Sequence, residues 1–134
     1  MKIIADTNVL IRAAIRDDPE EGRLAAAALR DADSIAVTLP TLCEFVWVLA
    51  RGYKKPTDEI VLALRRLIDG ATVAVDKPAA EAGLAVLEAG GDFADGVIAF
   101  EGRQLGGEVF VTFDRKAASL IGAAGTSAQL LSKR

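Results

Sequence analysis

Acidic residues recur at the ends of apolar runs, and the chain contains no histidine. Asp6 closes the run in IIADTNVLI, Glu44 interrupts TLPTLCEFVWVL, Asp95 lies in GGDFADGVIAF and Asp114 follows the run in VFVTFDRKAA. Carboxylates placed repeatedly where a strand hands over to a helix make one edge of a sheet acidic. Without imidazole, such a pocket is suited to holding a divalent cation through oxygen ligands. Mg²⁺ or Mn²⁺ there would lower the pKa of a bound water, position a phosphodiester and stabilise charge on the leaving oxygen. A carboxylate not on the metal can orient or deprotonate the attacking water.

The same composition excludes other chemistries. Without histidine there is no ribonuclease mechanism using imidazole as acid and base, and no Ser–His–Asp hydrolysis. Neither GxxxxGK[ST] nor GxGxxG occurs, so nucleotide-cofactor readings lack support. Each acid also has a plainer reading. Asp6 and Asp114 could cap helices. Thr41 to Glu44 matches a capping box, and Asp92 with Asp95 makes a similar pair. Taken together the plain reading weakens, because carboxylates gathered at one edge repel unless a cation is present. Glu44, moreover, breaks an apolar run where a solvated charge is not expected.

The elements that must position these residues follow from the apolar pattern. Lys2 to Asp6 reads as a strand, Asn8 to Ile15 and Pro19 to Ala32 as helices, Ile35 to Leu39 as a second strand. Helices are predicted over Pro40 to Arg51 and Pro56 to Asp69, then a strand over Thr72 to Val75. Helices over Pro78 to Ala89 and Asp92 to Leu105 end at Gly90-Gly91 and Gly106-Gly107. Glu108 to Thr112 is a fourth strand and Asp114 to Ile121 a last helix; the tail carries no clear pattern. Alternating strands and helices with short links imply right-handed crossovers and a parallel sheet covered on both faces. Ligands bind such sheets at the carboxyl ends of the strands, where Asp6 and Asp114 fall.

At 134 residues, 51% hydrophobic and 26% charged, the chain has the size and composition of one folded domain. The lone Cys43 cannot form an intrachain disulfide and is expected as a small core residue. No secretory leader is apparent, and the longest apolar stretch, Ile35 to Ala50, holds Pro40 and Glu44 and falls short of a membrane span. The expectation is a cytoplasmic protein without a membrane segment. The net charge of −3 does not exclude RNA, because a metal would neutralise part of the acidic pocket and leave basic residues around it.

These segments, in this order, resemble the PIN-domain ribonucleases, and among them the VapC-type toxins of toxin–antitoxin pairs. IIADTNVLI is similar to the family's opening strand, Asp, Thr and Asn; TLPTLCEFVWVL to its second segment, with Glu on the helix after strand two; DFADGVIAFEG to its DFADALIAA segment; VTFDRKAA to its last acidic turn. The resemblance implies a PIN-like three-layer α/β sandwich, with a central parallel sheet of four to five strands flanked by helices, as a single domain over residues 1–134. It implies Mg²⁺- or Mn²⁺-dependent endonucleolysis of RNA, transfer RNA included. It carries over Asp6, Glu44, Asp95 and Asp114 as the acidic quartet, with Asn8 and Thr112 as polar helpers and Thr7 as a residue that shapes the turn. It further implies a homodimer and an antitoxin protein that blocks the site. Gly96-Val97 stands where the family often has Ala-Leu, and Gly96 is expected to loosen its helix slightly.

Around the acids, Arg12, Arg16, Arg51, Lys54, Lys55, Arg115 and Lys116 could hold an RNA backbone or be ordinary solvated residues, with Arg115 and Lys116 best placed for phosphate. Asp92 is expected to cap its helix, with an extension of the pocket as the other reading. Phe45 and Trp47 are expected in the core or in dimer or antitoxin contacts, ahead of base stacking. The helical hairpin Pro40 to Asp69 has apolar faces suited to an oligomer or antitoxin surface. A catalytically silent PIN-like module that binds RNA or a partner is the main competitor. A phosphohydrolase of the haloacid dehalogenase type would need an acid at position 8, where Asn8 stands, and a receiver domain would need paired acids after the first strand.

Overall fold

The computed structural model describes residues 1–132, which fall into two compact units, Met1–Asp76 and Lys77 onward. The first runs β1 (Lys2–Ile4), α1 (Thr7–Ile15), α2 (Pro19–Asp31), β2 (Ser34–Ala36), α3 (Leu39–Trp47), a π-helical turn (Val48–Gly52), α4 (Thr57–Ile68) and β3 (Val73–Ala74). Its strands form a parallel sheet in the order β1-β2-β3, with Ile3 opposite Ile35 and Ile35 opposite Val73. The second unit runs α5 (Lys77–Glu88), α6 (Phe93–Gln104), β4 (Val109–Thr112), α7 (Arg115–Ala123) and β5 (Ser127–Leu130). There β4 and β5 pair in parallel, Val109 opposite Ser127 and Thr112 opposite Leu130. Every strand pairing is therefore parallel, as the alternating pattern predicts. The fifth strand, in the tail, is the element without a sequence signal: Ser-Ala-Gln-Leu is too short and too polar to show a period.

Local chemistry sets most boundaries. Pro19 occupies the first turn of α2, Asp18 caps it by accepting from the Glu21 N–H at 3.0 Å, and Glu20 and Glu21 face the positive end of the helix. The helix α3 begins earlier than Pro40. Thr38 is its cap, accepting from the Thr41 N–H at 3.4 Å, with Pro40 in the first turn. The capping box expected of Thr41 and Glu44 is therefore not formed, and Glu44 sits mid-helix. In the second unit α5 ends in a Schellman motif: Gly91 N–H donates to Val86 O at 2.9 Å and Gly90 N–H to Leu87 O at 3.0 Å, with Gly90 at φ +97°. That reversal delivers the chain to Asp92.

The first unit's core is built from Leu10, Ile11, Ile35, Leu42, Phe45, Leu49, Ile60 and Leu64. In the second, Val86, Ala99 and Ile121 pack with Phe110, Leu120 and Ala128. The helices α5 and α6 approach so closely that a Cβ on Gly96 would meet Ala82 O at 2.5 Å and Gly83 Cα at 2.8 Å. Gly96 is the contact point of two helices; the small loss of helix propensity expected there is secondary to the close approach. Among the described residues no helix is long and apolar enough to cross a membrane.

Candidate functional site

Asp6 occupies the N-cap position of α1, directly after β1, yet its side chain makes no capping bond. Its backbone carbonyl accepts from the Val9 and Leu10 N–H groups, while its carboxylate is exposed. The capping reading of Asp6 is thereby removed. Thr7, next in the chain, is the only buried polar residue among those described, consistent with a residue that shapes the turn. Asn8 is exposed and lines a shallow cleft between α1 and α2 with Val9, Arg12, Glu21 and Leu24. Glu44 lies on the outward face of α3, opposite Leu42, Phe45 and Val46, so the charge that breaks the apolar run is solvated after all.

The second unit gathers its acids at one corner. Asp92 caps α6, its carboxylate accepting from the Ala94 N–H at 3.0 Å, as expected. Asp95 follows one turn later and is half-buried. Burial first, then the charges of Asp92 and Asp114, push its carboxyl above the ordinary carboxylate range. Asp114 caps α7, accepting from the Ala117 N–H at 3.0 Å, and its own N–H donates to Thr112 Oγ1 at 3.0 Å. Thr112 thus fixes the backbone of the acid that ends β4. Among the described residues, no group of three or more acidic or cysteine side chains is disposed to hold a metal ion. Asp92 and Asp114 act on Asp95 through space, without sharing a ligation geometry with it.

The basic residues divide. Arg12 is committed within its own unit: its guanidinium donates to Glu21 at 2.8 Å, to Asp17 at 3.1 Å and to the Tyr53 hydroxyl at 3.3 Å. Tyr53 in turn donates to Asp17 at 2.9 Å, a bond that lowers the Asp17 pKa and raises that of the phenol. Arg12 is therefore a structural residue and is not offered to phosphate. Asp17, Glu21 and Tyr53 carry no sequence signal for this, since Arg12 and Tyr53 are far apart in the chain. Arg16 donates to Ala13 O from a left-handed backbone, and Lys55 lies 4.0 Å from Glu59. Arg51, Lys54, Arg115 and Lys116 are exposed.

Parallel strands joined through helices, with acids at strand-to-helix turns in each unit, make an α/β fold whose strands end in carboxylates. The chain belongs to the PIN domain family, which matches residues 3–122 and so runs through both units. PIN domains are generally nucleases that act on RNA and usually use divalent metals. No curated protein matches the chain significantly.

Proposed function

We propose that this chain is a Mg²⁺- or Mn²⁺-dependent endoribonuclease, and that it acts in the cytoplasm as the VapC-type toxin of a toxin–antitoxin pair. The observation that carries the reading is Asp95: a half-buried carboxylate under pressure from two neighbouring acids, inside a family match that also spans Asp6 and Glu44. Like charges kept together against this cost suit a cation, and the donors are all oxygens, the set a hard divalent ion takes. In this reading residues 1–134 are a single PIN-like domain, and Asp6, Glu44, Asp95 and Asp114 would be the residues that hold the metal.

The bound ion would supply a more acidic water and charge neutralisation at the scissile phosphate. The rest falls to the chain. Asp6, with no capping duty, is available to the site. Thr112 holds Asp114 in place, while Asp114 ties the start of α7. Asn8 offers an amide in the first turn of α1 to orient a water or a phosphate oxygen. Arg115 and Lys116 stand in the first turn of α7, where the helix dipole disfavours cations, a cost that an arriving phosphate would offset. A homodimer and an inhibitory antitoxin are proposed with the toxin role.

The test is induced expression of the chain alone beside Asp6→Asn, with purified protein assayed on transfer RNA. Growth arrest and RNA cleavage are expected from the wild type, with both abolished by Asp6→Asn and the cleavage abolished by EDTA. Cleavage that persists in EDTA would sink the mechanism. RNA binding without turnover in Mn²⁺ would favour a catalytically silent binding module.

A further inference from the structure

Leu39, Leu42, Phe45, Val46 and Leu49 bind one face of α3 and its π turn to the core. The opposite face presents Glu44, Trp47 and Arg51 in succession, all exposed. Trp47 is 60% exposed, although a tryptophan has a large apolar area to remove from water. It does not belong to an apolar patch, because along this stripe an acid precedes it and a base follows it. That pattern argues against an apolar protein surface continuing from it.

The backbone beneath is firmly held. The π turn closes through Tyr53 N–H to Val48 O at 3.1 Å, and Lys55 N–H donates to Leu49 O at 2.9 Å. The Tyr53 side chain is anchored by Asp17 and Arg12. π-helical turns often occur at functional sites. This one is followed by Lys54 in a left-handed conformation, φ 53°, with its side chain in solvent like that of Arg51. An aromatic ring on a rigid platform, with two cations following it along the chain, matches what single-stranded nucleic acid offers: a π face on every base and a charge on every phosphate.

We infer that Trp47 stacks on a base of single-stranded RNA next to the phosphate that Glu44 attends, with Arg51 and Lys54 holding the adjoining backbone. The inference deepens the ribonuclease reading and rests on it for the role of Glu44. Trp47 is the only tryptophan in the chain, so its emission reports on this contact alone.

The experiment titrates ten-residue oligo(rA) and oligo(rU) into the Asp6→Asn protein in Mg²⁺, following tryptophan emission and the anisotropy of an end-labelled oligonucleotide. Quenching that tracks binding is expected. Trp47→Ala should weaken binding by between about fivefold and a hundredfold, the worth of one base–aromatic stack, and Trp47→Phe should recover part of it. Binding with unchanged emission, and equal affinity for Trp47→Ala, would overturn the inference and leave the nuclease reading intact. A smaller particle mass for Trp47→Ala by light scattering, with unaltered oligonucleotide affinity, would overturn it in favour of a protein contact. Quenching by RNA in a protein whose wild type never cleaves would support the stack while sinking the nuclease reading, and no binding at all would overturn the stack and leave the nuclease reading to the cleavage assay.

Discussion

Asp95 sits one turn after Asp92 at the start of α6, where burial, and then the charges of Asp92 and Asp114, hold its carboxyl above the ordinary range. A carboxyl whose folded pKa is raised binds protons more tightly folded than unfolded. Its contribution favours the fold at acid pH and is lost as pH rises through the unfolded and then the folded pKa. The metal-free protein should therefore lose stability through this group as pH rises past the ordinary Asp value of about 3.9 and on through the raised folded one. Asp95→Asn should raise the neutral-pH midpoint of the apo protein in thermal unfolding. Added Mn²⁺ should raise the wild type's midpoint and leave the variant's nearly unmoved. A variant no more stable than the wild type would show that the acidic corner costs nothing.

Asp92 separates capping from catalysis. Asn caps as well as Asp, so Asp92→Asn should keep the bond to the Ala94 N–H and leave stability within about 0.5 kcal/mol, whereas Asp92→Ala should lose about 1 kcal/mol. Neither should remove RNA cleavage. Asp6→Asn, Glu44→Gln and Asp114→Asn should each lower it by at least about a hundredfold, on the order of the loss of a group acting at the reaction centre. Equal loss of cleavage in Asp92→Asn would place Asp92 in the machinery.

Gly96 tests the helix contact. A methyl group at this position would lie 2.5 Å from the Ala82 carbonyl, which is backbone and cannot swing aside. Gly96→Ala gains helix propensity but should destabilise the protein by about 1–3 kcal/mol in urea unfolding, the usual cost of overpacking. An unchanged or raised midpoint would mean that α5 and α6 can separate without loss.

The capping rules and the apolar period were enough to locate α2, α5 and α6, because Pro19, Gly90-Gly91 and Gly106-Gly107 punctuate the chain unambiguously. Thr41 misled: it reads as a cap in the sequence, but Thr38 lies closer to the strand and takes the role. Glu44 in an apolar run reads as buried, yet a helix has an outward face even when most of its residues are apolar. The strand-end acids Asp6 and Asp114 were legible because the alternating pattern fixes where strands stop. The Arg12–Asp17–Tyr53 contact was not, since no local pattern encodes a pairing between residues so far apart in sequence. Nor does propensity reveal that Gly96 meets the α5 backbone.

The Tyr53 hydroxyl donates to Asp17 and accepts from Arg12, tying the end of the π turn to α1. The bond to Tyr53 lowers the Asp17 pKa. A depressed folded pKa adds stability above the unfolded value and loses it as pH falls through the folded one. Acid below about pH 4 should therefore loosen this tie, given the ordinary Asp value near 3.9. Tyr53→Phe deletes the hydroxyl, removes the largest of the causes that hold the Asp17 pKa down while leaving the Arg12 charge in place, and should shift the acid-unfolding midpoint upward. Amide hydrogen exchange at Tyr53 and Lys55, whose N–H groups close the π turn, should accelerate in the same variant while the α5 and α6 amides stay unchanged. Arg12→Gln should give the same pattern without altering the salt dependence of RNA binding, because its charge is already engaged by Asp17 and Glu21. A reduced salt slope in Arg12→Gln would instead return Arg12 to the phosphate-binding set.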